Sequence, residues 1–283
     1  MTSYRERTYS AQDGLRLFYR DYGDPLSADV PVLCLTGLTR NARDYHELAS
    51  RLAATRRVVC PDYRGRGRSA YDPNWRNYHP RCCLDDILQL LIAANLHRVV
   101  VVGTSLGGLL AMGLAIARPG ALAGVVLNDV GPVIDTRGLD RIRAYVGRDH
   151  PQDDWDGAIA FVKQTFSTVG NKSEAEWRRL AEGTFRKGPD GKLHVDWDVA
   201  LGRSLADPVV VPDLWPLFRA LRPFPVLALR GALSDVLTAD TFERMQREHP
   251  ALQQVTVAGV GHTPTLDEPE ARHAFDAFLA NCR

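Results

Sequence analysis

The 283-residue sequence predicts an α/β protein in which helices cover both faces of a mostly parallel central sheet. Short apolar runs alternate with amphipathic helical patterns over most of the chain, as expected for successive strand–helix units. One such unit, residues 99–117, places a buried-strand run, a sharp glycine-rich turn and an apolar helical run in immediate succession. Since parallel strands end at one edge of a sheet, the residues that follow them are the candidates for a functional site.

The first 132 residues supply most of the predicted strands. Residues 5–21 are predicted to form two strands joined at Asp13 and Gly14, a dipeptide typical of hairpin turns. Further strands are predicted at 31–35, 57–60, 99–102 and 124–127, with one helix ending near 52, one at 80–95 and one running from the glycine-rich turn to 117. The helix at 80–95 has one apolar face, as expected for a helix that packs on a sheet.

This alternation stops after residue 132 and resumes after residue 222. The segment between is predicted to be mainly helical, with helices at 139–146, 155–166 and 174–185 and an extended stretch at 193–199. The strand–helix pattern then continues with strands at 226–229 and 254–257 and helices at 239–248 and 269–279. Proline residues mark both joints. We therefore expect residues 1–132 and 223–283 to form one core and residues 133–222, the insertion, to form a helical cap over it.

Composition argues against several function classes. A net charge of +1 gives no general attraction to nucleic acid or to an anionic membrane. The sequence contains no run of about 18 apolar residues, so no membrane span is expected. It has no apolar run behind its first residues, so no secretory signal is expected. The five cysteines are odd in number and lack Cys-x-x-Cys spacing, so neither a disulfide framework nor a cysteine-based zinc site is expected. A reducing cytoplasm is the expected location.

The turn at 103–107 reads Gly-Thr-Ser-Leu-Gly, the G-x-S-x-G pattern of a nucleophile elbow. In such a turn Ser105 has a strained backbone at the start of a helix, and its hydroxyl projects above the sheet. Gly103 and Gly107 allow strand and helix to approach more closely than side chains would permit. A glycine-rich helix start without catalytic function is the alternative, but the flanking strand and helix favour a nucleophile.

A serine nucleophile needs a general base, and His262 is the only one of eight histidines that directly follows a predicted core strand. A surface-loop histidine is the alternative. The imidazole needs a carboxylate, and two aspartates at strand ends compete for this role: Asp235, after 226–229, and Asp129, after 124–127. We favour Asp235, because it keeps acid and base on adjacent strand–helix units in the order Ser, Asp, His. Asp129 would then brace the loop that leads into the insertion.

Two backbone amides are predicted to form the oxyanion hole: that of Leu106, next to the nucleophile, and that of Leu38, in the loop after an earlier strand. Arg40, beside that loop, is a candidate substrate contact. Trp155 and Trp197 are candidates to line a pocket, because four of the five tryptophans lie in the insertion and ligand pockets are mostly apolar and aromatic.

Together these motifs resemble the α/β-hydrolase-fold serine hydrolases of the capped, single-domain bacterial type. The resemblance rests on residues 36–38, the Asp-x-Arg-Gly-x-Gly-x-Ser pattern at 62–69, the elbow at 103–107, Ser234-Asp235 and Gly261-His262. It covers nearly the whole chain and implies the α/β-hydrolase fold with a Ser-His-Asp triad. One departure is Thr36, which stands where family members often carry a histidine before the oxyanion-loop glycine.

The loop at 62–69 also carries three arginines, Arg64, Arg66 and Arg68. An anion site is one interpretation, but salt bridges to nearby carboxylates are more typical of loop arginines. The G-x-G-x-x-A match at 65–70 is not followed by a helix, so a dinucleotide site is not expected.

The sequence thus predicts a hydrolase that acts on a small-molecule carboxylic ester or lactone through an acyl-enzyme, with no metal or organic cofactor. Carbon–carbon bond hydrolysis of diketones, thioester hydrolysis and amide hydrolysis are alternatives, as is a slow-turnover ligand receptor of the same fold. No nucleic-acid or membrane partner is expected. The oligomeric state stays open, with a homo-oligomer as one alternative.

Overall fold

The computed structural model describes residues 4–166, 172–205 and 213–282. Within these ranges the strands are β1 (Tyr4–Ser10), β2 (Arg16–Tyr22), β3 (Val32–Leu35), β4 (Val58–Asp62), β5 (Val99–Thr104), β6 (Leu122–Asn128), β7 (Phe185–Lys187), β8 (Leu193–Val195), β9 (Val226–Gly231) and β10 (Gln253–Val257). Eight of them form one sheet in the order β1-β2-β4-β3-β5-β6-β9-β10, and β7 pairs with β8 in a separate two-stranded sheet.

The α-helices in the same ranges are α1 (His46–Leu52), α2 (Pro80–Ala93), α3 (Leu106–Ala117), α4 (Thr136–Val146), α5 (Trp155–Thr165), α6 (Glu174–Thr184), α7 (Trp215–Arg219), α8 (Ala239–Glu248) and α9 (Pro269–Asn281). Short 3₁₀ helices cover Ala42–Tyr45, Trp75–Tyr78, Pro119–Ala121 and Val199–Leu205. The predicted elements are present, with boundaries that differ by a few residues. The short elements β7 and α7 were not predicted, because segments of three and five residues are too short to show a periodic pattern.

The main sheet is mostly parallel, as predicted. Six strands, from β4 to β10 in the spatial order, pair in parallel, whereas β2 runs antiparallel to both of its neighbours. The β1–β2 connection contains Gly14 with a φ of +84°, a conformation that favours glycine in hairpin turns. Because β5, β6 and β9 are adjacent and parallel, the loops that follow them meet at one edge of the sheet.

Helices cover both faces of this sheet. Along β5, Val99 and Val101 belong to the apolar cluster beneath α2 and α3, whereas Val100 and Val102 belong to the cluster beneath α1 and α9. All four valines are fully buried. Successive side chains of a strand point to opposite faces, so a continuous apolar run marks a strand covered on both sides.

Most of the insertion packs in a third apolar cluster, which also contains Tyr78 of the core, whereas Trp215 and Phe218 of α7 pack in the cluster beneath α2 and α3. The third cluster, the apolar cluster of the insertion, contains Tyr145 from α4, Val162 from α5, Trp177 from α6 and Trp197 from the segment after β8. The insertion is joined to the core by backbone hydrogen bonds between the 62–69 loop and residues 196–198. Two stretches of the insertion, 167–171 and 206–212, lie outside the described residues.

In the part of the chain that the structure describes, no helix combines the length and apolar character needed to cross a membrane. The five cysteines are free thiols, and those of β3 and β4, Cys34 and Cys60, are buried as predicted.

Packing of α3 on the sheet depends on the absence of a side chain at Gly107. A Cβ atom there would overlap the carbonyl group of Leu35 at the end of β3. The Gly107 N–H also donates to the carbonyl oxygen of Thr36, at 3.0 Å. The start of α3 is therefore seated directly on the backbone that follows β3.

We expect Gly107→Ala to destabilise the protein by on the order of 3 kcal/mol, because the added methyl group must push α3 away from a rigid strand end. The matched control is Gly120→Ala, since a Cβ at Gly120 meets nothing within 4 Å. Thermal and chemical unfolding of both variants test this. Equal stability of the two variants would contradict the packing argument.

Candidate active site

Ser105 lies in the sharp turn between β5 and α3, with φ and ψ of 51° and −115°. A positive φ is strained for a residue with a side chain, and such strain is often found at functional sites. The Ser105 N–H donates to the carbonyl oxygen of Asn128, at 3.1 Å. The residue therefore stands at the N-terminus of α3, where the helix dipole favours negative charge.

His262 and Asp129 form a hydrogen-bonded pair at the same sheet edge. The Nδ1 atom of His262 lies 2.6 Å from Oδ2 of Asp129. Asp129 directly follows β6, has no solvent exposure, and accepts two further hydrogen bonds, from the Gly231 N–H at 2.8 Å and the Ser234 hydroxyl at 2.6 Å. A buried carboxylate with three donors is the arrangement that satisfies an ionised side chain away from water.

Asp235, the aspartate that the sequence favours, is not the residue that the structure pairs with His262. Its two carboxylate oxygens accept hydrogen bonds from Nε and Nη2 of Arg141, on α4, at 2.7 and 2.9 Å. Burial raises the pKa of Asp235, but the Arg141 guanidinium outweighs that effect, so the pKa is lowered overall. Asp129, the second candidate, occupies the place beside the histidine.

The position of Ser234 explains why Asp129, and not Asp235, is paired with His262. Ser234, one position before Asp235, points inward to Asp129, and its hydroxyl also accepts the N–H groups of Val236 and Leu237. Since β6 and β9 are adjacent, both aspartates follow strands that end beside the His262 loop. Chain order alone could not decide between them.

Of the two amides predicted for the oxyanion hole, that of Leu106 lies in the elbow at the start of α3, and that of Leu38 lies in the loop after β3. Among the described residues, neither the Leu38 N–H nor the Leu106 N–H has a hydrogen-bond acceptor. The loop that carries Leu38 is held to α3 by the Gly107–Thr36 hydrogen bond and to the 62–69 loop by the Tyr63 hydroxyl, which donates to the Thr36 carbonyl at 3.2 Å. Two free N–H groups on a fixed backbone are suited to bind an oxyanion.

The 62–69 arginines behave differently from one another. Arg64 forms the expected salt bridges, to Asp13, Asp72 and Asp86. Arg68 likewise pairs with Glu6.

Arg66 does not follow the salt-bridge expectation. It is fully buried and donates instead to the carbonyl oxygens of Leu38 and Arg64, at 2.8 and 2.6 Å, and burial lowers its pKa. Arg66 therefore anchors the oxyanion loop, a role that its spacing in the sequence did not reveal.

A polar network that the sequence did not predict joins the strand ends to the histidine loop. The Asn128 side chain donates to the Thr104 hydroxyl at 3.0 Å and to the Pro264 carbonyl at 2.9 Å. The Tyr45 hydroxyl lies 2.7 Å from the same Thr104 oxygen. The signal in the sequence was Asn128 itself, a polar residue at the end of an otherwise apolar strand.

Arg40, Trp155 and Trp197, the three predicted substrate contacts, are mainly engaged in contacts within the protein. The Arg40 guanidinium is held by Asp44 on Nε and Nη2, both at 2.6 Å, and by the Thr184 hydroxyl on Nη1, at 2.5 Å. Trp197 is only 2% exposed and donates its indole N–H to the Val146 carbonyl. The structure thus uses Arg40 to join core and insertion, and Trp197 as a core residue of the insertion.

Trp155, the third of these candidates, is half-buried on α5. The guanidinium of Arg178 lies 4.8 Å from the centre of its ring. The ring is therefore covered by a cation, and its other contacts are with the apolar cluster of the insertion.

Comparison with known proteins identifies the family. A model of the alpha/beta hydrolase family matches residues 32–274. The chain belongs to this family. The match confirms the predicted family and the α/β-hydrolase fold, and it shows that the protein is related to hydrolases.

Three related proteins show how similar this alpha/beta hydrolase is to known hydrolases. A 3-hydroxybutyrate-oligomer hydrolase of Cupriavidus necator is 34% identical over 90% of the chain and 89% of its own length. A 2-(acetamidomethylene)succinate hydrolase of Mesorhizobium japonicum is 26% identical over 84% of each chain. The crystal structure of an alpha/beta hydrolase from Novosphingobium aromaticivorans, 41% identical, superimposes with a TM-score of 0.92 over 99% of both chains.

We expect Asp129→Asn in this hydrolase to lower kcat by about 10⁴-fold, because an amide cannot hold the imidazole in the required tautomer or stabilise its charged form. Asp235→Asn should cost less than about 10-fold on an uncharged ester, because the hydrogen bonds of His262 are left in place. Steady-state kinetics of both variants, with circular dichroism to verify folding, measure the difference. The opposite ranking would return the acid role to Asp235.

Proposed function

We propose that this protein is a serine hydrolase that cleaves a carboxylic ester through an acyl-enzyme, with Ser105 as nucleophile, His262 as general base and Asp129 as the carboxylate that orients it. The observation that carries the proposal is the 2.6 Å hydrogen bond between His262 and a fully buried Asp129, at the sheet edge where Ser105 stands. Within the described residues no hydrogen bond joins the Ser105 hydroxyl to another group, His262 included, and such catalytic hydrogen bonds often tighten only when a substrate binds.

In the first half-reaction Ser105 Oγ attacks the ester carbonyl while Nε2 of His262 accepts the hydroxyl proton. The carbonyl oxygen becomes an oxyanion, and the Leu38 and Leu106 amides donate to it. When the tetrahedral intermediate collapses, the imidazolium gives its proton to the leaving alcohol. In the second half-reaction His262 deprotonates a water molecule, which attacks the acyl-enzyme and releases the carboxylic acid.

Asp129 contributes to catalysis by holding the His262 imidazole in one tautomer. Because its Oδ2 accepts from Nδ1, the Nε2 atom of His262 is left unprotonated and able to act as a base. The donors from Gly231 and Ser234 keep the carboxylate in place during the reaction. The oxyanion amides contribute on the order of 3 kcal/mol each to stabilisation of the transition state.

An ester is the substrate class that the relatives support best. The 34%-identical relative from C. necator is named for oligomers of 3-hydroxybutyrate, a hydroxy acid whose units are joined through ester bonds. We therefore propose short hydroxy-acid esters as the first substrates, with lactones as the cyclic form of the same bond. Thioester, diketone and amide cleavage use the same catalytic groups and become outcomes of the substrate test.

The insertion is proposed to act as a cap over the catalytic residues. Two contacts support this role: Arg141 of α4 reaches Asp235, next to the catalytic loop residue Ser234, and Arg40 of the oxyanion loop reaches Thr184 at the end of α6. A lid of this kind excludes water from the acyl-enzyme and shapes the substrate site.

Ser105→Ala should lower turnover of short p-nitrophenyl esters by several orders of magnitude while the protein stays folded, because the covalent step is lost. A serine-reactive phosphonate should label the wild type on Ser105 and leave the variant unlabelled, as read by mass spectrometry. A parallel panel of hydroxybutyrate oligomers, lactones, thioesters and diketones identifies the bond that is cleaved.

Two results would contradict the proposal. One is retention of activity in Ser105→Ala, with the phosphonate adduct on another residue. The other is phosphonate labelling of Ser105 without measurable turnover of any member of the panel, the behaviour expected of a ligand receptor.

A further inference from the structure

One face of α4 lies along the catalytic edge of the core. Gly138, Arg141 and Tyr145 are spaced by three and four residues and therefore share a face of the helix. The Gly138 N–H donates to the Asp235 carbonyl at 3.0 Å, and a side chain at Gly138 would clash with that backbone. At the other end, Tyr145 belongs to the apolar cluster of the insertion, against which Leu38 of the oxyanion loop packs.

These contacts place Arg141 between the two catalytic loops. Its helix begins beside the loop after β9, which contacts Asp129 through Ser234, and ends in the apolar cluster against which Leu38 of the oxyanion loop packs. Ser105 lies between these loops at the sheet edge. The side chains of Arg141 and Asp235 are about one-fifth exposed, at 21% and 19%, so the ion pair borders an accessible space rather than the protein interior.

Asp235 accepts hydrogen bonds from only one edge of the Arg141 guanidinium. The guanidinium Nε and Nη2 atoms donate one hydrogen bond each to the carboxylate. A guanidinium has five N–H groups, so three remain, and two of these, one on Nη1 and one on Nη2, form the opposite edge. Among the residues that the structure describes, that edge has no acceptor. Asp235 therefore fixes the plane of the guanidinium and leaves a two-donor edge available.

Arg64 in the same protein shows what such an edge accepts. Asp86 binds its Nε and Nη2 atoms, at 2.7 and 2.6 Å, as Asp235 does for Arg141. The remaining Nη1 atom of Arg64 binds two more carboxylates, those of Asp13 and Asp72, at 2.9 and 2.7 Å. One guanidinium can thus hold a carboxylate on Nε and Nη2 and further carboxylates on Nη1.

We propose that Arg141 binds a carboxylate group of the substrate, so that the enzyme prefers esters that carry a free carboxylate over the same esters with that group blocked. Asp235 is then the positioning residue that orients the guanidinium. The inference rests on the proposed ester hydrolysis and specifies its substrate class. A planar guanidinium edge matches two carboxylate oxygens, and such charge-assisted pairs discriminate strongly against uncharged groups.

The test uses two matched substrate pairs. The first is the linear dimer of 3-hydroxybutyrate and its methyl ester, which differ in a carboxylate on the alcohol side of the internal ester. The second is monomethyl glutarate and dimethyl glutarate, which differ in a carboxylate on the acyl side. In at least one pair the wild type should show a kcat/KM about 10- to 100-fold higher for the acid than for the blocked ester.

Arg141→Gln should reduce that ratio to near one, mainly through a higher KM for the acid. The matched control is Arg137→Gln, which removes the same charge one turn away on α4, from an arginine paired with Asp135 at the helix start. It should keep the wild-type ratio. Arg141→Lys provides a second variant if the glutamine variant folds poorly, and its single ammonium group should retain only part of the preference.

A wild-type ratio near one in both pairs would overturn the inference, as would an unchanged ratio in Arg141→Gln. The Ser105→Ala variant gives a readout that needs no turnover. The 3-hydroxybutyrate dimer at saturating concentration should raise its Tm, and adding Arg141→Gln should abolish the rise. A missing rise in Ser105→Ala contradicts carboxylate binding, whereas failure of the ester hydrolysis itself would show as absent wild-type turnover of every ester tested, whether or not the phosphonate labels Ser105.

Discussion

The catalytic edge of the structure depends on one buried carboxylate. Asp129 has no exposure to solvent and accepts hydrogen bonds from Gly231, Ser234 and His262, which come from three different loops. An unpaired ionised side chain in this position would cost several kcal/mol, so each donor both satisfies the charge and is held by it. The loops after β6, β9 and β10 are therefore joined at a single point, and His262, the proposed general base, is placed by the same interaction that stabilises the edge.

Ser105, the proposed nucleophile, is placed by a different kind of constraint, which is steric. Gly103 and Gly107 bring α3 against the backbone of β5 and β3, and Ser105 takes a positive φ between them. The close approach also brings the Gly107 N–H to the Thr36 carbonyl, which ties the elbow to the loop that carries Leu38. The predicted oxyanion site is thus assembled from backbone groups, whose geometry the packing of α3 determines.

Guanidinium groups connect these parts to the rest of the molecule, and each is used in a different way. Arg66 is buried without a carboxylate and binds backbone carbonyls, which holds the oxyanion loop. Arg40 donates from all three of its guanidinium nitrogens, to Asp44 and Thr184, and joins that loop to the insertion. Arg141 is only half occupied, at the border of the catalytic site, and this difference is what makes it the candidate for substrate recognition.

The sequence by itself determined the fold class, the family, the position of nearly every strand and helix, and the identities of Ser105 and His262 as candidates. These follow from local information: apolar periodicity, glycine spacing and the position of a residue directly after a strand. It favoured Asp235 over Asp129, but the structure pairs His262 with Asp129, since both aspartates follow strands that end at the same edge and chain order does not separate them. Only the tertiary structure decided this, through a serine hydroxyl that turns inward and an arginine from α4, 94 residues away in sequence, that binds Asp235. Contacts between distant segments leave no periodic trace in a sequence, so the partner of a buried charge can be read only from the folded chain.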